Sequence, residues 1–262
     1  SEAPIAIKPY LSSMSSSEIF AVMVGGMATV SGSVLGGYAA AGVDMRYLIA
    51  ASFMAAPAGL MMAKLIKPES SDVSSDDSAV REDILAHRAA NVIDAAATGA
   101  LQGLQLALAI GALLLAFIGL IALINGMIGW GGSFFGFSNL TMQQILGHLF
   151  QPVAFLIGVP WEETRQVGSL LGQKLILNEF IAYLDFVASY QSELTPRTQA
   201  IVTFALCGFA CLSSIAIVVG GIGILVPERR TEMSQLGFLA VMGATLANLM
   251  SATIAGLMLS LS

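Results

Sequence analysis

The sequence predicts an all-α polytopic membrane protein with inverted repeats, each containing a re-entrant hairpin and a broken transmembrane helix. Three observations support this prediction. Of the 262 residues, 56% are hydrophobic and only 11% are charged, whereas a soluble domain carries about 25% charged residues. The charges are confined to short islands along the chain. Finally, the two ends of the chain resemble each other.

Long runs without charged side chains identify the membrane-spanning segments. A bilayer span needs about 20 apolar residues, and its backbone must be hydrogen-bonded within the segment, which a helix achieves. Five such segments are present, and we predict that each is a transmembrane helix: 19–43, 47–63, 95–130, 198–226 and 235–261.

These spans divide the chain into five parts. Residues 1–63 form a partial first repeat, with the second arm of one hairpin and two spans. Residues 64–94 form a polar linker and a surface helix, 95–130 a scaffold helix, and 131–163 an interfacial amphipathic helix. Residues 164–262 form the second repeat, a complete hairpin followed by two spans.

Basic residues predict the orientation of the chain. If all five spans cross, 1–18, 64–94 and 227–234 share the side that carries more Lys and Arg. The positive-inside rule then places the polar linker in the cytoplasm and the C-terminus outside. Because the chain begins with Ser1 and shows no signal-peptide pattern, we expect it to be the C-terminal part of a longer protein.

The two ends of the chain share one pattern. Each has a short apolar piece with a carboxylate, Glu2 or Glu179, then a polar turn, then a span interrupted by small polar residues. The interruptions are 29–34 and 207–214. With the predicted orientation the two units run in opposite directions, and inverted repeats with interrupted helices are typical of secondary transporters.

Both carboxylates are candidate site residues, because a charge at membrane depth costs several kcal/mol unless it is paired or hydrated. The segments 165–178 and 180–190 are each too short to cross the bilayer. Together they predict a re-entrant hairpin with Glu179 at its tip. Ser31 and Ser33 have two interpretations: they belong to a site, or they bond to the preceding turn and bend the helix.

Composition and motifs exclude several functions. The net charge of −6 argues against a nucleic-acid partner. The sequence has no His-Glu metal spacing, no nucleophile beside a base and no phosphate loop, so we expect no cofactor. Two other classes remain open: an intramembrane enzyme that uses Glu2 and Glu179 as an acid pair, and a channel.

Four strings resemble the concentrative nucleoside transporters. They are SEAPIAIKPYL at the start, 29–34 with the LGGY that follows, KLILNEFIAYLDF at 174–186 and ALCGFACLSS at 205–214. The NEF-x-AY and CGFA strings are specific, and all four occur in the family's order. The resemblance covers essentially the whole chain, and we expect the family's N-terminal half to precede Ser1.

The resemblance implies a cation-coupled nucleoside importer in the inner membrane, a homotrimer in lipid whose mobile domain carries substrate like an elevator. In such proteins the first hairpin holds the base, and the carboxylate of the second hairpin holds the ribose. The substrate-binding residues that match are Ser1, Glu2, Val34, Glu179, Phe209, Cys211 and Ser214.

One of these residues departs from the family. Cys211 stands where the family usually has an Asn that contacts the ribose. A thiol is a much weaker hydrogen-bonding group than a carboxamide. We therefore expect this position to change affinity or sugar selectivity.

The resemblance also implies a coupling ion. In sodium-coupled relatives a hydroxyl and the next carbonyl of the first broken helix bind the ion, and Thr29 and Val30 match these groups. Oxygen ligands suit a hard cation. We expect sodium; the alternative is a proton carried by Glu2 or Glu179.

Overall fold

A computed structural model describes residues 7–69, 91–134 and 140–261, and within these ranges the chain forms helices and no strands. The predicted site residues Ser1 and Glu2, and most of the predicted linker, therefore lie outside the described residues. The chain divides into two compact units. One comprises Ser1–Ser75 with Gln143–Ser262, and the other comprises Asp76–Met142.

The first unit begins with four helices. They are α1 (Lys8–Leu11), α2 (Ser16–Ala28), α3 (Gly32–Ala40) and α4 (Met45–Ile66). A capping box starts α2, in which the Glu18 amide donates to Ser15 Oγ (3.1 Å) and the Ser15 amide donates to the Glu18 carboxylate (2.8 Å). Gly42 has a φ of +109°, which lets the chain turn sharply between α3 and α4.

The second unit contains one long helix, α5 (Val92–Ser133), of 42 residues. The Asn91 side chain caps it by accepting from the Asp94 amide at 2.9 Å. At 1.5 Å per residue the helix is about 63 Å long, which is about twice the thickness of a bilayer core. The predicted span 95–130 lies entirely within it.

The remaining helices follow. They are α6 (Met142–Leu156), α7 (Thr164–Ile176), α8 (Glu179–Asp185), α9 (Pro196–Leu206), α10 (Leu212–Leu225) and α11 (Arg230–Leu261). A π-helical turn, Phe186–Tyr190, continues α8. Short 3-10 turns precede α7 and α11, at Trp161–Glu163 and Pro227–Arg229.

Three segments among the described residues are long and apolar enough to cross a membrane: Ser16–Ala40, Met45–Ile66 and Pro227–Leu261. The predicted span 198–226 is instead divided between α9, with 11 residues, and α10, with 14. Neither reaches the length of about 20 residues that a span requires. The break between them is a feature that the sequence predicts.

The core of the first unit surrounds α11. This helix packs against α2, α4, α9 and α10. One apolar cluster includes Leu48, Tyr183 and Phe204, and a second includes Phe20, Met23 and Val241. The C-terminal helix therefore packs against helices from both ends of the chain, among them α2 before the first helix break and α9 and α10 on either side of the second.

Candidate functional site

The first helix break comprises Thr29, Val30 and Ser31, between α2 and α3. Thr29 and Ser31 have extended backbones, with ψ values of 163° and 150°. The Thr29 hydroxyl donates to the Gly25 carbonyl at 2.8 Å, so its oxygen keeps lone pairs that can accept or coordinate. Ser31 Oγ lies 3.2 Å from Ser33 Oγ. Thus Thr29, not Ser31 or Ser33, bonds to the preceding turn.

The second helix break, residues 207–211, lies between α9 and α10. It is held by local backbone bonds, from the Gly208 amide to the Leu206 carbonyl (2.8 Å) and from the Cys211 amide to the Phe209 carbonyl (3.0 Å). The Phe209 side chain is half-buried at the edge of the first apolar cluster, where Val34 also packs. The second break therefore presents an aromatic ring next to main-chain groups.

Cys211 is the last residue of the second break, and Ser214 lies in the first turn of α10. Both side chains are 3% exposed. The Cys211 sulfur lies 3.0 Å from Ser214 Oγ and 3.1 Å from Ser213 Oγ, and the Ser214 hydroxyl donates to the Phe209 carbonyl. The Cys211 thiol thus contacts two neighbouring hydroxyls.

The two breaks contact each other. A Cβ atom added at Gly208 would lie 2.5 Å from the carbonyl oxygen of Ala28, the last residue before the first break. Such a distance is far inside van der Waals contact. The glycine therefore allows the two interrupted helices to approach at their interruptions.

Glu179 follows a chain reversal between α7 and α8. The Asn178 side chain starts α8 by accepting from the Ile181 amide at 2.9 Å. Between α7 and α8, the side-chain amide of Gln173 donates to the Asp185 carboxylate at 2.7 Å. These bonds place Glu179 at the first position of α8, where the backbone amides of the helix start favour a negative charge.

The Glu179 carboxylate is buried and only half satisfied. It is 5% exposed; its Oε1 accepts from the Tyr38 hydroxyl at 3.0 Å, and its Oε2 has no partner. The Tyr38 ring also contacts the Phe180 and Tyr183 rings in tilted arrangements, with centroids 5.8 and 4.6 Å apart. A buried acceptor without a partner is costly, so this oxygen is the strongest candidate for contact with a ligand.

The structure thus brings together the two breaks and places Glu179 against α3, while Ser1 and Glu2 lie outside the described residues. Three polar residues around the breaks are not among the predicted site residues: Tyr38, Lys174 and Asn248. Lys174 and Asn248 are 3% and 1% exposed. In the sequence, each is a polar side chain within an apolar segment. A polar side chain inside a membrane needs a specific partner.

Comparison with known proteins gives concordant matches. Residues 47–256 match the family model described as Na+ dependent nucleoside transporter C-terminus. The uncharacterized transporter YutK of Bacillus subtilis (strain 168) is 52% identical over 98% of this chain and 63% of the relative. The nucleoside permease NupC of Helicobacter pylori is 49% identical over 100% of this chain and 62% of the relative. The chain thus spans less than two thirds of the length of these relatives.

Solved structures agree with these matches. CNTnw in an inward-facing substrate-bound state is 53% identical, with a TM-score of 0.93 over 100% of this chain and 61% of that chain. A CNTnw variant in an outward-facing state is 52% identical, with a TM-score of 0.95 over 100% of this chain and 63% of that chain. The chain therefore belongs to the Na+ dependent nucleoside transporter family, to whose C-terminal part it corresponds.

Proposed function

We propose that this chain is the C-terminal part of a sodium-coupled nucleoside importer that works as an elevator-type secondary transporter. The observation that carries the proposal is the buried Glu179 carboxylate, with one oxygen held by Tyr38 and the other free. The relatives are named as transporters, permeases and cotransporters. An intramembrane enzyme is therefore excluded as the function of this family.

Glu179 Oε2 accepts from the ribose hydroxyls in this proposal. A carboxylate accepts hydrogen bonds only, and a ribose offers two neighbouring hydroxyl donors. The Tyr38 hydroxyl fixes the other oxygen, so the carboxylate is oriented before substrate arrives. Preorganisation of this kind reduces the cost of binding.

The second break contacts the rest of the nucleoside. Phe209 offers a flat apolar face to the base, with Val34 at the edge of the same apolar cluster. Cys211 and Ser214 contribute weak polar contacts from the end of the break. Ser1 and Glu2 hold the polar edge of the base, in accordance with the family resemblance.

The first break binds the coupling ion. Thr29 supplies a hydroxyl oxygen whose proton is already directed to the Gly25 carbonyl, and Val30 supplies a main-chain carbonyl. Neutral oxygens suit a monovalent hard cation. Human sodium/nucleoside cotransporter 1 is 39% identical over 98% of this chain and 42% of the relative, which supports sodium as the ion.

Alternating access requires at least two states of one protein. CNTnw has been solved in inward-facing, outward-facing and intermediate states. These states support, for this chain, a mobile domain that carries the substrate between two sides. A homotrimer in the inner membrane, as the resemblance implies, completes the proposal.

Uptake of radiolabelled uridine and adenosine into vesicles that contain the full-length transporter tests this proposal. Saturable accumulation that requires an inward sodium gradient is the expected result. Accumulation that follows a proton gradient instead would retain nucleoside transport and assign coupling to a carboxylate. Uptake without saturation would indicate a channel, and no nucleoside uptake under either gradient would refute the proposal.

A further inference from the structure

A buried polar pair lies beside both helix breaks and has no part in the proposed substrate or ion contacts. Asn248 comes from α11, and Lys174 comes from α7, the helix that precedes Glu179. They are 1% and 3% exposed. A buried ammonium and a buried amide are stable only when their hydrogen-bonding groups are matched.

The Asn248 side chain joins the ends of two different helices. Its Nδ2 donates to the Ala28 carbonyl and to the Cys207 carbonyl, each at 2.9 Å. Ala28 is the last residue of α2, and Cys207 follows the last residue of α9. Carbonyl groups at helix ends lack intrahelical partners, so one amide satisfies an acceptor at the edge of each break.

Lys174 connects α7 to Asn248 and to the end of α9. Its Nζ donates to the Ala205 carbonyl at 2.8 Å and to Asn248 Oδ1 at 2.9 Å. The lysine thereby holds Asn248 in the orientation that directs Nδ2 at the two carbonyls. It also connects the helix before Glu179 to the end of α9.

Gly208 shows how closely these parts pack. An added Cβ would lie 2.4 Å from Asn248 Oδ1 and 2.5 Å from the Ala28 carbonyl oxygen. Displacing either break would therefore disturb the other directly.

We propose that Asn248 and Lys174 are positioning residues that couple the two breaks, so that an ion bound at the first break strengthens nucleoside binding at the second. The nature of the two ligands rests on the proposed function above. Coupling of this kind is a free energy shared by two sites, and the path here is one side chain that touches both.

Asn248→Asp is the variant that tests the proposal. It keeps the size of the side chain and an acceptor for Lys174, but a carboxylate cannot donate to the Ala28 and Cys207 carbonyls. Ser251→Ala is the matched control, because Ser251 lies on the same helix, is 2% exposed and bonds only to its own helix at the Ala247 carbonyl (3.0 Å).

The measurement is the dissociation constant of uridine for the purified full-length transporter, at zero and at saturating sodium. We expect the sodium-induced gain in affinity to fall at least fivefold in Asn248→Asp and to change less than twofold in Ser251→Ala. Lys174→Met should reduce the gain in the same direction. An undiminished gain in a folded Asn248→Asp protein would overturn the proposal.

A second measurement needs no substitution. Amide hydrogen exchange of the unaltered transporter, with sodium and without nucleoside, should slow at 208–211 as well as at 29–31. Slowing at the first break alone would overturn the proposal, whether or not the variants fold. Failure of the unaltered protein to bind uridine would instead refute the proposed function, since the exchange result does not depend on nucleoside.

Discussion

The two helix breaks lie in the two predicted repeats, but their chemistry differs. The first has three residues, and its hydroxyls are engaged in short local bonds at Thr29 and Ser31. The second has five residues and presents a phenyl ring and a thiol, Phe209 and Cys211. In the proposed function, this difference suits the first break to a small hard ion and the second to an organic ring.

Removing the Glu179 charge has the largest expected effect. Glu179→Gln should weaken uridine binding about a hundredfold, because hydrogen bonds to a charged group contribute about 1.5–3 kcal/mol and the amide nitrogen cannot accept. Equilibrium binding at saturating sodium measures it. If the sodium concentration for half-maximal binding is unchanged, the Glu179 carboxylate contacts the nucleoside, as the second break does, and not the ion.

Asp185→Asn is the control for that experiment. Asp185 lies in the same short helix, but its oxygens are already bonded to Gln173 (2.7 Å) and Ser189 (2.8 Å). We expect less than a threefold change, about 0.6 kcal/mol. Equal losses in the two variants would indicate damage to the hairpin rather than loss of a ligand contact.

At the first break, Thr29→Val should raise the sodium concentration for half-maximal uptake about thirtyfold. The substitution removes one oxygen ligand of the cation, which weakens ion binding by about 2 kcal/mol. Uridine affinity at saturating sodium should be retained. Thr203→Val is the matched control, since the Thr203 hydroxyl also bonds one turn back, to Gln199 at 2.8 Å, but lies within α9. A larger effect at Thr203 would contradict the ion assignment.

At the second break, Cys211→Asn should tighten uridine binding about tenfold, since a carboxamide restores one hydrogen bond of about 1–1.5 kcal/mol. Titration of the purified protein gives the value. Cys207→Ser is the comparison variant, because Cys207 Sγ bonds to the Leu48 carbonyl at 3.9 Å and is expected to give no gain. Unchanged affinity in Cys211→Asn would remove this position from the ribose site.

The smallest effect is expected at Tyr38. Tyr38→Phe should weaken uridine binding about fivefold. The substitution removes the hydroxyl that donates to Glu179 Oε1, and one hydrogen bond contributes about 1 kcal/mol. Tyr183→Phe removes a hydroxyl that donates to the Thr203 carbonyl at 2.7 Å, with no bond to Glu179. A greater loss of uridine affinity at Tyr183 than at Tyr38 would contradict the assigned role of the Tyr38 hydroxyl in orienting the Glu179 carboxylate.

The family and the helical membrane fold were predictable from the sequence, and both are confirmed. Composition identifies a membrane protein because the bilayer accepts few charges, and small polar residues identify the breaks because they interrupt apolar runs. The observed breaks at 29–31 and 207–211 lie within the predicted interruptions. The roles of individual site residues remain predictions, to be tested by the substitutions above.

Local sequence determined where the helices of this protein begin, end and break, since caps, turns and apolar runs act over a few residues. Only the tertiary structure decided which side chains satisfy the broken ends. Tyr38 and Glu179 are 141 positions apart, and Asn248 and Ala28 are 220 apart. The first pair joins α3 to α8, and the second joins α11 to the end of α2. Such pairs follow from tertiary packing, in which buried polar groups need partners and proximity along the chain does not reveal which ones they find.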